Sequence, residues 1–198
     1  MSNKSCCGGS KGRLIHAVIE LLPRKGYENL GIQDILQQAE VSKSNFYYHF
    51  KSKEELCLTA FDAIIEFFED KILRATLLND TLSPKERFEG LFQKLRESME
   101  HTCCKVGCPF VNIATETSDH HPLFREKVDK FFDMYRKAIA AALQAGVDRG
   151  DFHSNFPIDG MAQFILSTIN GTMVLMKASK DLSVIEQNRN TLFALIKK

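Results

Sequence analysis

Val41-Ser-Lys-Ser-Asn-Phe-Tyr-Tyr-His-Phe50 is the stretch on which the reading of this chain turns. It is short, basic at its start and crowded with aromatic side chains. Just upstream lies an amphipathic run, Ile32-Gln-Asp-Ile-Leu-Gln-Gln-Ala39. Ser42 is a good N-cap, because its side-chain oxygen accepts from a free amide of the first helical turn. Two short helices joined this tightly read as a helix-turn-helix, with the second helix offered to the major groove. Phe46 and Phe50 stand four apart and share a buried face, which leaves Lys43, Asn45 and Tyr48 available outward.

Working outward, Lys11–Arg24 repeats Leu14, Ile15, Val18, Leu21 and Leu22 on one helical face. Pro23 should tighten or end that helix, and Gly26 is its stop signal. Downstream, Ser52 and Glu55 have capping-box spacing and start a long helix expected to run from 53 to about 77. Ser83-Pro84-Lys85-Glu86 opens another helix with an N-cap, a first-turn Pro and an acidic third residue. Cys108–Ser118 reads as a short helix, and His120-His121-Pro122 begins a long one ending near Arg149-Gly150. Phe156-Pro157 opens a largely apolar helix to about Ala178, and Val184–Ile196 is the last. The chain is predicted all-α, a three-helix head followed by a larger helical domain, about nine helices in total. The expected divisions are a flexible arm at 1–10, a head at 11–51 and a second domain at 52–198.

The formal net charge of the 198 residues is only +1, so overall charge does not announce nucleic acid. The distribution does: residues 1–53 carry a net +4 and the remainder −3, which suits a DNA-binding module on a body that does not bind DNA. The N-terminus lacks the apolar core of a signal peptide and no apolar run is long enough to span a membrane, so a cytoplasmic protein is expected. Its six cysteines are then expected to be thiols, with Cys6 and Cys7 in the polar leader, Cys57 in a helix, and Cys103, Cys104 and Cys108 clustered.

The order of these parts resembles the TetR family of one-component repressors over the full length. The specific match is the head: Arg13, Gly26-Tyr27, Ile32-Gln-Asp-Ile35, Ala39-Glu-Val-Ser-Lys43, Phe46-Tyr-Tyr-His-Phe50 and Ser52-Lys-Glu-Glu-Leu56. Glu40 departs from the Gly common at that turn, and Ser44-Asn45 replaces the usual Gly-Thr pair. The resemblance implies a ligand-binding, dimerising second domain, a homodimer paired through its two C-terminal helices, and a double-stranded DNA operator. It makes Lys43, Ser44, Asn45 and Tyr48 candidates for base edges, and Tyr47, His49 and Lys53 candidates for phosphates. Val106-Gly-Cys-Pro109, followed by Asn112 and Glu116, resembles the electrophile-responsive repressors of the N-ethylmaleimide and aldehyde type, in which the matching Cys is the sensor.

Cys108 therefore has two readings. At a helix N-terminus its thiolate is stabilised by free amides and the helix dipole, with Lys105 adding positive charge; alternatively it is a small buried hydrophobe. His101, Cys103, Cys104, Cys108, His120 and His121 have metal-ligand chemistry, but their spacing matches no zinc pattern, and neither metal nor cofactor is expected. Phe61, Phe68, Phe92, Phe110, Phe131, Tyr135 and Phe164 are candidates to line a pocket for an apolar effector, although a plain helical core needs the same spacing. No catalytic constellation is visible, so an enzyme is not expected. The leading reading is a repressor released from a palindromic operator by a small molecule or electrophile. The alternative is a helical small-molecule- or metal-binding protein whose head has lost specific DNA binding, supported only by Glu40 and the Ser44-Asn45 pair.

Overall fold

The computed structural model describes residues 8–198, so Cys6, Cys7 and most of the expected arm lie outside it. Nine α-helices follow among the described residues: α1 (Gly9–Lys25), α2 (Ile32–Ala39), α3 (Lys43–His49), α4 (Lys53–Phe68), α5 (Pro84–His101), α6 (Pro109–Thr117), α7 (Pro122–Asp148), α8 (Ile158–Ser179) and α9 (Ser183–Ile196). Extended pairing among them is limited to one isolated bridge, Phe152 to Lys197. None of these helices is long and apolar enough to cross a membrane. The start of α1 at Gly9 places Gly9 and Ser10 in a helix rather than in the arm.

The chain forms two compact units. One holds the chain up to Glu66 together with Pro109–Glu126, and the other holds Phe67–Cys108 and Lys127–Lys198. In the first, Leu14, Val18 and Leu22 of α1, Ile35 of α2, Phe46 of α3 and Leu56, Ala60 and Phe61 of α4 are buried. Phe61 also packs on Phe110 of α6 and Phe124 of α7, with ring centroids 5.8 and 6.0 Å apart. The unit therefore takes in more of the chain than residues 11–51.

Local signals explain most helix ends. Pro23 sits inside the last turn of α1 without breaking it, because Gly26 ends the helix three residues later at φ +78°, its N–H bonded to the Leu22 carbonyl at 2.9 Å. The Ser83–Glu86 capping box forms reciprocally: Ser83 Oγ accepts from the Glu86 N–H at 3.3 Å, and Glu86 Oε2 from the Ser83 N–H at 2.8 Å.

The expected helix from 53 to about 77 is not continuous. The α-helix ends at Phe68, and Glu69–Leu73 is a π-helical segment followed by turns. The bonds skip one residue further than in an α-helix, from Arg74 N–H to Glu69 O and from Leu78 N–H to Leu73 O, both at 2.9 Å. This step changes the register so that Leu73, Thr76 and Leu77 are all buried. The turns are then held by buried Arg87, whose guanidinium donates to the carbonyls of Leu82 and Leu77 and to Asp80 Oδ1.

Candidate DNA-binding surface and sensor region

The helix-turn-helix is built by caps at both ends of α2 and at the start of α3. The Asp34 carboxylate accepts from the Gly31 N–H at 3.0 Å to start α2, and the Lys25 ammonium, 2.7 Å away, holds that carboxyl below the usual carboxylate range. Glu40 closes α2 in the left-handed conformation, φ 53° and ψ 47°. The departure from Gly is thus accommodated in the turn, so Glu40 is no sign of a dismantled head. Ser42 then caps α3, its Oγ accepting from the Asn45 N–H at 3.3 Å.

On α3 the division of faces follows the sequence reading. Phe46 and Phe50 are buried, with Tyr47 edge-on to Phe46 at 5.1 Å. Lys43, Ser44 and Asn45 are exposed, Tyr47 is 51% exposed and Tyr48 82%. Two of the candidates have internal partners. His49 Nε2 lies 2.6 Å from Ser10 Oγ of α1. The Lys53 ammonium donates to the Tyr27 carbonyl at 2.9 Å and sits over the Tyr27 ring at 4.2 Å. Lys53 therefore anchors the α1–α2 loop, a role not readable from its position after the helix-turn-helix.

Glu116 of α6 is the residue whose role sequence reasoning missed. Its two carboxylate oxygens accept from the backbone N–H groups of Tyr27 and Glu28, at 2.9 and 2.8 Å. An ideal Cβ at Gly26 would stand 2.6 Å from the same carboxylate, so glycine is needed both for the positive φ and for this approach. His121 adds to the cluster, 3.0 Å from Glu28 and 3.6 Å from Glu54, with its ring edge-on to Tyr27. Burial, with the Cys57, Glu54 and Glu28 charges adding, pushes the Tyr27 phenol up to about 12. The partners are some ninety residues apart in sequence, beyond any helical periodicity.

Cys108 is partly exposed and immediately precedes Pro109, the first residue of α6. The loop before it is unusual: consecutive Cys103 and Cys104 are left-handed at φ 49° and 55°, and Gly107 has φ 74°. Non-glycine residues held there store strain. The expected neighbour Lys105 is exposed, and two lysines from the end of α8 hold the loop instead. Lys180 Nζ donates to the Cys104 carbonyl at 2.8 Å, and the Lys177 stem lies against Gly107. Among the described residues, no group of three or more His, Cys, Asp or Glu is arranged to hold a metal ion.

The candidate pocket aromatics divide into separate clusters. Phe61 and Phe110 pair in the first unit. Phe68, Phe131 and Tyr135 form a cluster in the second, with Phe68 5.3 and 5.2 Å from the other two rings. Phe92 is buried beside an open hollow of about 240 Å³ between α5, α8 and α9. Phe164 does not point into a core: it is 52% exposed at the rim of that hollow, on the face of α8 that also exposes Val174 and Leu175. The apolar residues of α8 run around more of the helix than the core covers, so Phe164 meets the hollow from its exposed side.

A capped helix-turn-helix with an exposed polar row on its second helix, in an all-helical chain, is the arrangement of a DNA-binding regulator. Residues 14–60 match the family model described as bacterial regulatory proteins, tetR family, and residues 84–192 match that described as tetracyclin repressor-like, C-terminal domain. An uncharacterized HTH-type transcriptional regulator in the lacX 3′ region of Lactococcus lactis subsp. lactis is 30% identical over 179 residues, covering 90% of this chain and 89% of that protein. The HTH-type transcriptional repressor DhaR of Mycobacterium sp. (strain GP1) is 25% identical over 182 residues, covering 91% and 88%. The crystal structure of a regulatory protein TetR from Rhodobacter sphaeroides superposes with a TM-score of 0.87 at 22% identity, covering 94% of this chain and 98% of that one. This chain belongs to the TetR family and is a DNA-binding transcriptional regulator.

Proposed function

We propose that this regulator is a cytoplasmic repressor that binds a near-palindromic operator as a homodimer and is released when a small molecule or thiol-reactive electrophile acts on the 52–198 domain. The observation that carries the reading is the exposed row on α3, Lys43, Ser44, Asn45 and Tyr48, rigidly backed by buried Phe46 and Phe50. These four reach base edges in the major groove. Tyr47, His49 and Lys53 contact phosphates from the 11–51 head and its edge; Lys53 keeps two ammonium hydrogens free of its bond to Tyr27.

Exposed Phe164, Val174 and Leu175 of α8 and Leu195 of α9 support pairing through the two C-terminal helices, where a second copy covers them. Partial exposure of Cys108 beside a strained loop supports its role as the sensor. Release then requires the effector to favour a dimer state that no longer fits the operator.

Selection from a random DNA library, followed by shift assays against a scrambled duplex, tests the reading. The expected result is a two-fold-symmetric site bound at least about a thousandfold more tightly than scrambled DNA. Salt-sensitive binding with no sequence preference would overturn specific repression. Cys108→Ser is expected to keep operator binding and lose release by thiol-reactive compounds.

A further inference from the structure

Tyr48 is the most exposed large aromatic or apolar side chain among the described residues. Its ring is nevertheless held. It stands edge-on to the His49 imidazole, with centroids 4.9 Å apart and planes at 77°. Consecutive residues of a helix do not face each other, so this contact needs one ring turned back toward the other. The imidazole is itself held from outside α3. His49 Nε2 lies 2.6 Å from Ser10 Oγ, which stands 39 residues earlier in the first turn of α1. Whichever atom donates, the bond fixes the plane of the imidazole. Lys11, the next residue of α1, adds a second grip on the end of α3, its ammonium 5.8 Å from the centre of the Phe50 ring. A hydroxyl of α1 thus sets an imidazole, and the imidazole sets an exposed aromatic ring. That ring is flat and apolar, and the apolar group that the major groove presents is the C5-methyl of thymine.

We infer that Ser10 and His49 are positioning residues that preset the Tyr48 ring against the methyl group of one thymine in each half-site, so that α1 governs a base preference without touching the base. The inference rests on the α3 row being the reading surface. An aromatic side chain ordered before binding has little rotamer freedom left to lose on the DNA, which is worth about two- to tenfold in affinity. A ring held at one angle also meets a methyl at one place in the groove. A freely turning ring sweeps several places and discriminates among them less. The bond to Ser10 uses one ring nitrogen of His49 and leaves the other for the phosphate proposed for it. The same imidazole then serves both the register on the duplex and the angle of the reading ring.

The test uses the full-length protein and the duplex it selects from a random library. Each thymine of one half-site is replaced in turn by deoxyuridine, which removes only the methyl, and affinities are read by fluorescence anisotropy at fixed salt. For the parent, one of these replacements should weaken binding about three- to fivefold, the worth of one buried methyl. Tyr48→Ala should bind the thymine and deoxyuridine duplexes alike. Ser10→Ala should lose about two- to tenfold on the thymine duplex and keep less than about a twofold preference for it. Ser10→Thr, which retains the hydroxyl, should behave like the parent. If Ser10→Ala is weakened by the same factor on both duplexes, the link to α1 is only structural and the inference is overturned. A parent insensitive to every replacement overturns it too. Failure to select any sequence removes the operator reading and the inference together. A selected sequence whose thymine preference survives in Ser10→Ala removes the inference alone.

Discussion

Glu40 carries the turn of the helix-turn-helix in a conformation that L-residues other than Asn and Asp rarely adopt. Left-handed backbone costs about 1–2 kcal/mol for such a residue. Glycine removes that strain but adds freedom to the unfolded chain, which offsets part of the gain. We expect Glu40→Gly to raise unfolding stability by up to about 1 kcal/mol in urea, and Glu40→Val, β-branched, to lower it by about as much. Cys57 behaves in the opposite way to a sensor thiol. It is fully buried in α4, and burial pushes its thiol up to about 12, against a smaller opposing effect of Lys53. The unfolded thiol ionises near 8.5. Between that pH and about 12 the unfolded chain holds fewer protons than the folded one, so stability falls as pH rises; below about pH 8 the residue contributes no pH dependence. Denaturation midpoints should therefore drop from pH 8.5 to 11, and less steeply in Cys57→Ala. Native Cys57 should also resist alkylation at pH 8 while exposed Cys103 reacts.

Among elements, α6 is tied to the α1–α2 loop by one carboxylate. Glu116 satisfies two loop amides, and Gly26 provides the space for it. Glu116→Ala should destabilise the protein by about 1–3 kcal/mol, because both amides lose a charged acceptor. Gly26→Ala should do so by a similar amount, through its positive φ and its clash. The double variant should lose less than the sum, since removing the Glu116 carboxylate removes the clash; full additivity in chemical denaturation would disprove the coupling. The helix-turn-helix and its caps were legible because they are local. Ser42, Gly31 and the Ser83–Glu86 pair act within three residues of themselves. The π-helical step after Phe68 was not legible, since the apolar spacing of residues 61–77 also fits a straight helix, and only the packing of Leu73 and Leu77 selects the slipped register.

For the whole molecule, a net charge of +1 conceals a basic first quarter, so operator binding should weaken steeply with salt although the protein is nearly neutral. The proposed dimer gives a sharper expectation. Phe164→Glu combined with Leu175→Glu places charge in the exposed apolar face of α8. In sedimentation this variant should be monomeric, with unchanged helix content and operator affinity lowered at least about a hundredfold, because a single recognition helix loses the second half-site. A dimer that persists would place the interface elsewhere.

By itself, the sequence determined the all-helical class, the helix-turn-helix, the buried role of Phe46 and Phe50 and the outward row from Lys43 to Tyr48. Each of these depends on periodicity or capping within a turn or two of chain. Tertiary structure alone decided that Glu116 holds the loop after α1, that Lys53 rests on Tyr27, that Phe164 faces outward and that the Tyr135 hydroxyl is buried without a partner. The physical reason is the same in every case. Helical periodicity specifies which side chains share a face, whereas what that face meets depends on segments tens of residues away, and only the packed chain brings them together.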